Sequence, residues 1–356
     1  MLGEVTTDPV GHEPWALEPG GAAPRAAERR GGRPWIRIAI VVVALAGLSW
    51  FIAADWSQIV DAVRLIRDVD WLWLTVGAAT SILSIVLFAA VRSVLLGSGG
   101  ARLRLGRSTA ASFASGAIAA SVPAGGAIAT AYMVREYRSA GADAGLAGWT
   151  TIATGVVAPS VLVFMTMTGY AIAGEGSASV ILPSVVALAL LVGFFVLGRR
   201  PTVMRGPIQR GVRLWNRIRR RSDLDSGSIA TEFVDQFGAV QAGPGRWTAA
   251  WLLQVLSWIG EYLALLASIV AVGGEIPWTS VLAIYGTCQL AGAIPLIPGG
   301  AGQVEAALVV GLTATGMDAS TALATSLIFR VVSHWLVVPI GWVTFAALRR
   351  RPATEP

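Results

Sequence analysis

Ala291–Leu308 reads AGAIPLIPGGAGQVEAAL. The run is apolar at both ends, yet its middle holds Pro295, Pro298, Gly299, Gly300 and Gly302. Proline removes a backbone donor and clashes with the preceding turn, and adjacent glycines loosen the backbone further. A helix entering this stretch must therefore break at its centre. Broken backbone at membrane depth is tolerated only where protein or a watery cavity covers it. Just past the break sits Glu305, an ionisable group in an apolar run. A broken helix beside a carboxylate is how many transporters build a site near the midplane. The competing account is a tight interhelical turn that leaves Glu305 at the water interface.

The rest of the chain says which solvent surrounds this break. Its 356 residues are 54% hydrophobic and 13% charged, with mean hydropathy +0.65. A soluble domain carries about 25% charged residues. Several apolar runs reach the roughly 20 residues that span a bilayer, so the fold class is an all-α polytopic membrane protein. All 27 basic residues are arginine, and the pI is about 10.3. The arginines cluster at the ends of apolar runs, where topology and anionic lipid headgroups explain them and a nucleic-acid partner does not. The one cysteine, Cys288, excludes an intrachain disulfide. The two histidines, His12 and His334, are far apart, so no metal site is expected. No phosphate-loop motif is present, so ATP-driven pumping by this chain is not expected. The longest polar interior stretch, Arg199–Arg246, is too short for a catalytic domain. No enzyme activity and no cofactor are expected.

Taken in order, the chain divides into a disordered cytoplasmic tail at 1–35, an N-terminal transmembrane half at 36–198, a basic cytoplasmic connector at 199–246 and a C-terminal transmembrane half at 247–350. Full spans are expected at Ile36–Ala54, Trp71–Val91, Leu146–Ile172, Ile181–Leu197, Trp247–Val272 and Ser320–Leu348. In the connector, Val212–Arg221 reads as a basic interfacial helix and Ser228–Val240 as a short amphipathic one, with a solvated linker as the bland alternative. Arginine-rich ends face the cytoplasm, which puts both termini inside a bacterial plasma membrane. That rule makes Ser108–Met133 begin and end inside, and Thr279–Gly316 begin and end outside. That favours a hairpin for the first, broken at Pro123, Gly125 and Gly126, and leaves the second as either a hairpin broken by proline and glycine or two short spans. Gly116-Ala117-Ile118 before Pro123–Ala127 echoes Gly292-Ala293-Ile294 before Pro298–Ala301. The expected architecture is about six full spans plus two opposed re-entrant hairpins, in the manner of an inverted repeat.

Two blocks carry a family likeness: IPGGAGQVEAALVVGL at Ile297–Leu312, and FRVVSHWLVVPIGW at Phe329–Trp342. They resemble the transmembrane, flippase-like domain of lysylphosphatidylglycerol synthases, through Pro298–Ala306 and through Arg330, Pro339 and Gly341. Arg92–Leu96 and Pro123–Tyr132 correspond more loosely, and the likeness extends over about Ile36–Arg350. Departures are visible. Ala127 and Thr130 stand where the family often has an acid and an arginine, and Thr150–Gly155 lacks its usual charges. The resemblance implies a stand-alone lipid-translocating or lipid-binding membrane domain without the soluble synthase domain.

Candidate site residues follow from cost. Arg330 lies inside an apolar run, where a guanidinium needs a carboxylate, carbonyls or a phosphate. Glu305 and Glu261 are its candidate partners, and a lipid headgroup phosphate is the alternative. His334, four residues on, shares the face of Arg330 and suits either a headgroup bond or a structural one. Arg135 suits headgroup attraction or topology marking. Glu261 and Glu305 are the proton or ion-pair candidates, and Tyr285 and Gln289 share one helix face. The leading expectation is translocation or binding of an anionic phospholipid or a polyprenyl-phosphate-linked lipid. Its rival is a non-transporting subunit that presents such a lipid to a membrane glycosyltransferase or lipid-modifying enzyme.

Overall fold

A computed structural model describes residues 67–121, 125–174, 226–293 and 302–350, with a few single positions between 189 and 213. Among the described residues all regular structure is helical. Stretches at 71–99, 144–173, 244–271 and 319–349 are long and apolar enough to cross a membrane. They match four of the expected spans. The expected spans at 36–54 and 181–197 and the basic helix at 212–221 lie outside the described residues, as do Pro123, Pro295, Pro298, Gly299 and Gly300.

The first described helix, α1 (Trp71–Leu96), starts where the Asp70 side chain accepts the amide of Leu72. Its end lies beyond the expected Val91, so Arg92 is inside the helix rather than after it. The residues that α1 buries are small over most of its length, Gly77, Ser81, Ser84 and Ala89, and become larger only near its end, at Val91, Leu95 and Leu96. Small residues let membrane helices approach closely, where dispersion and hydrogen bonds replace the missing hydrophobic drive. The partner is α6 (Pro244–Ala271), running antiparallel. Gly77 lies against the Ala264 carbonyl, Gly260 lies against that of Thr80, and the Ser257 hydroxyl donates to the Ser84 carbonyl at 2.9 Å.

The first broken segment forms two helices, α2 (Leu105–Ser121) and α3 (Gly125–Ser139). Arg107, near the start of α2, bonds Glu136 at 3.1 Å and Ser139 at 2.9 Å, near the end of α3. The two ends therefore meet, and the pair is an antiparallel hairpin. Ala111, Ala114 and Ile118 of α2 pack with Ala129, Tyr132, Met133 and Tyr137 of α3.

The long helix α4 (Ala144–Ala173) is capped by Asp143, which accepts the Leu146 amide at 2.7 Å. Pro159 lies inside α4, and nearby Trp258 of α6 donates its indole N–H to the Ala158 carbonyl at 2.9 Å. Trp258 thus ties α6 to α4 within the bundle. The connector helix α5 (Ser226–Ala239) is docked rather than solvated. Val234 and Phe237 are buried, and Gln236 accepts the Gly145 amide at 3.0 Å.

The second broken segment repeats the hairpin as α7 (Val281–Gly292) and α8 (Gln303–Ala314). Gly292 faces Val304 and Gly311 faces Ile284, so these helices are also antiparallel, with residues 294–301 between them. The last span is not one uniform helix. It runs as α9 (Ala319–Arg330), a π-helical turn at Val331–Trp335 closed by Leu336 N–H to the Val331 carbonyl at 2.9 Å, and α10 (Val337–Arg350).

The hairpins dock on different halves of this span. α8 packs on α9, with Leu308, Leu312, Ala322 and Phe329 in one core. α2 packs on α10, where Gly341 sits against the Phe113 carbonyl and Ala117, and Gly116 against Val337. Loops 273–277 and 315–318 line one crevice of about 380 Å³ at the end that carries Glu275 and Asp318. The opposite end carries Arg102, Arg104, Arg107, Arg135 and Arg138.

Candidate functional site

Gly302 begins α8 with φ +85°, a backbone region that suits glycine alone without strain. This places Glu305 in the first turn, where one carboxylate oxygen accepts the Gly302 amide at 2.7 Å. The other oxygen accepts Arg330 Nε at 2.6 Å. Glu305 opens α8, where the helix dipole favours its charge, whereas Arg330 lies in mid-span, where helical backbone continues into the π-helical turn, and is held by Glu305. Little water reaches the pair: the Arg330 side chain is 9% exposed and that of Glu305 22%.

A second carboxylate stands nearby. Glu261 of α6 receives Gln289 Nε2 of α7 at 3.5 Å, a long contact, and lies within electrostatic reach of Arg330. His334, in the π-helical turn, is within reach of both Arg330 and Glu305. The turn is wider than an α-helical one, yet a step of four residues still brings His334 back toward the side of Arg330. Tyr285, on the same helix as Gln289, is fully buried beside Trp258 and Tyr262, with its hydroxyl donating to the Trp258 carbonyl at 3.4 Å.

The structure thus gathers Glu261, Glu305, Arg330 and His334 from α6, α8, α9 and the π-helical turn. It does not add Arg135, which is exposed at the base of the first hairpin. Gly125 and Gly126 open α3, and Gly125 packs on the Ala119 and Ile118 carbonyls of α2. Two features lay beyond the sequence reading. Glu136 is buried and paired with Arg107, a match 29 residues apart that needed the hairpin to be seen. Arg92 is packed inside α1 rather than in a loop, and the R-x-x-L-L spacing at Arg92–Leu96 was the available signal.

These features define a polytopic helical membrane protein with a charged constellation at the break of a helical hairpin. The chain belongs to the lysylphosphatidylglycerol synthase TM region family, whose model matches residues 35–341. It is also similar to two UPF0104 membrane proteins of Methanothermobacter thermautotrophicus. One is 30% identical over 90 residues, 25% of this chain and 27% of the relative. The other is 28% identical over 89 residues, 25% of this chain and 26% of the relative. The alignments thus span about a quarter of these relatives' own length.

Proposed function

We propose that this chain handles an anionic lipid, a phospholipid or a polyprenyl-phosphate-linked one, and moves it between leaflets. The observation that carries this reading is the Arg330–Glu305 pair at 2.6 Å beside the break of the second hairpin. A charged headgroup crossing hydrocarbon needs its hydration replaced. A guanidinium presents a planar fork of donors that suits phosphate. In this reading the phosphate exchanges with Glu305 on Arg330, and Glu305 or Glu261 takes up a proton so that the interior charge stays balanced. The arginine-rich end faces the cytoplasm by the positive-inside rule, so the first hairpin re-enters from inside and the second from outside. No catalytic step is assigned to this chain.

The test is lipid translocation in proteoliposomes, with a labelled anionic phospholipid and a short polyprenyl phosphate. Accelerated crossing that Arg330→Ala abolishes supports the proposal. No acceleration of either lipid by folded, inserted protein sinks it and leaves the lipid-presenting subunit as the better account. Co-purification with a membrane glycosyltransferase or lipid-modifying enzyme would then be the next measurement.

A further inference from the structure

Arg92 is a cation that the site above leaves unused. It sits about one turn before the end of α1 and is partly buried. Its guanidinium carbon lies 4.2 Å from the ring centroid of Phe88, and Nη1 donates to the Ser112 hydroxyl of α2 at 2.8 Å. Ser112 brings no charge: its own hydroxyl donates to the Ser108 carbonyl at 2.8 Å. Ser108 in turn donates to the Ala89 carbonyl at 2.9 Å. Among the described residues, no carboxylate lies within ion-pair distance of Arg92. The neighbouring buried carboxylate, Glu136, is held by Arg107.

The place of Arg92 at the basic end of α1 suits membrane orientation, yet orientation does not require its packing against Phe88 and against Ser112 of α2. Its surroundings are strongly basic. Residues 92–143 carry six arginines against two acids, Glu136 and Asp143, and Asp143 is occupied as the cap of α4. Arg102, Arg104, Arg135 and Arg138 are exposed around the same end. A partly desolvated guanidinium with one neutral acceptor and a basic rim matches a phosphate monoanion or diester, which accepts from the fork and supplies the missing charge.

We propose that Arg92, with Ser112 and the surrounding arginines, forms a second site that binds a phosphate group at the arginine-rich end. The phosphate belongs to a lipid headgroup or is free phosphate. Binding there requires no transport, so the site stands or falls apart from the translocation reading.

The experiment uses the purified full chain in detergent and calorimetric titration with dioctanoyl phosphatidylglycerol, dioctanoylglycerol and inorganic phosphate. The expected result is binding of phosphatidylglycerol but not of dioctanoylglycerol, weakened about tenfold or more by Arg92→Gln. Arg92→Lys, which keeps charge but not the fork, falls between the two. The Arg92→Gln loss persists in an Arg330→Ala background, which separates this site from the first. Displacement of the lipid by millimolar inorganic phosphate identifies free phosphate as a ligand; its failure to displace assigns the site to the headgroup. A folded Arg92→Gln protein that binds phosphatidylglycerol like the unsubstituted chain overturns the proposal. Wild-type protein gives a second readout that needs no variant. Phenylglyoxal modification of Arg92, followed by peptide mass spectrometry, should be suppressed by phosphatidylglycerol and not by dioctanoylglycerol. Equal modification with both overturns the site.

Discussion

Glu305→Ala removes two accepted hydrogen bonds at once, from Arg330 Nε at 2.6 Å and from the Gly302 amide at 2.7 Å. Breaking a buried ion pair by deleting one partner costs about 3–5 kcal/mol, because the remaining charge stays desolvated. The 22% exposure of Glu305 lets water screen part of that, which favours the lower end, ~3 kcal/mol. Loss of the contact that caps α8 adds ~0.5–1 kcal/mol. The sum is ~4 kcal/mol, and at ~2 °C per kcal/mol for a chain of this size it lowers Tm by ~8 °C. The 14 tryptophans provide the signal for a fluorescence melt in detergent. Glu305→Gln keeps an acceptor for Gly302 and should lose less. Replacing both partners, as Glu305→Met with Arg330→Met, removes the stranded charge and should cost less than Glu305→Ala alone. A Glu305→Ala loss below ~1 kcal/mol, or a double variant that costs the sum of its singles, would refute the view that the two side chains form one buried unit.

Gly341→Val places a Cβ on the Phe113 carbonyl and Ala117, so it should cost ~1–3 kcal/mol or more and loosen α2 from α10. A melt unchanged from wild type would contradict that close approach. Trp258→Phe keeps a ring but loses the indole donor to Ala158, and ~0.5–1.5 kcal/mol of stability should go with it, read by the same melt. Asp318, the exposed cap of α9, accepts from the Ser320 hydroxyl and from the Thr321 amide, and these bonds hold its carboxyl below the usual aspartate range. A folded-state pKa below the unfolded one stabilises at neutral pH, and that contribution fades as pH falls below ~4. Tm measured against pH should therefore lose part of its acid decline in Asp318→Asn, and identical acid limbs would count against the cap.

The spans were legible because a bilayer imposes one requirement, about 20 apolar residues per crossing, and α1, α4, α6 and the last span meet it in plain composition. Both breaks were legible for a local reason as well, since proline and glycine act on the backbone within a turn. The partner of Arg330 was narrowed to two carboxylates by the cost of an unpaired charge, and the structure chose Glu305. What the sequence hid depended on packing between distant segments. Glu136 reads as a surface acid beside Arg135 and Arg138 until the hairpin folds it inward onto Arg107. Phe233 and Phe237 read as one apolar face of a linker, and only the glycines of α4 show why that face docks: Gly145 meets Gln236 and Phe237, and Gly148 meets Phe233. The π-helical turn at Val331–Trp335 has no composition signal of its own, although it keeps His334 within reach of Arg330 as the helical period expects.

The last span joins the two halves of the molecule by unlike means, and the difference has a consequence. α9 is tied to the second hairpin through the apolar core of Leu308, Leu312, Ala322 and Phe329 and also through a charge pair that salt or a competing anion can weaken. α10 is tied to the first hairpin through glycine contacts at Gly116 and Gly341, with Tyr132 and Phe345 rings 5.6 Å apart, none of which responds to such changes. The π-helical turn lies between them, where the backbone already departs from the regular ladder. An event that exchanges the partner of Arg330 therefore removes one tie between α9 and the second hairpin and none between α10 and the first. In the lipid-moving reading this asymmetry makes the second hairpin the moving part and the first one the frame.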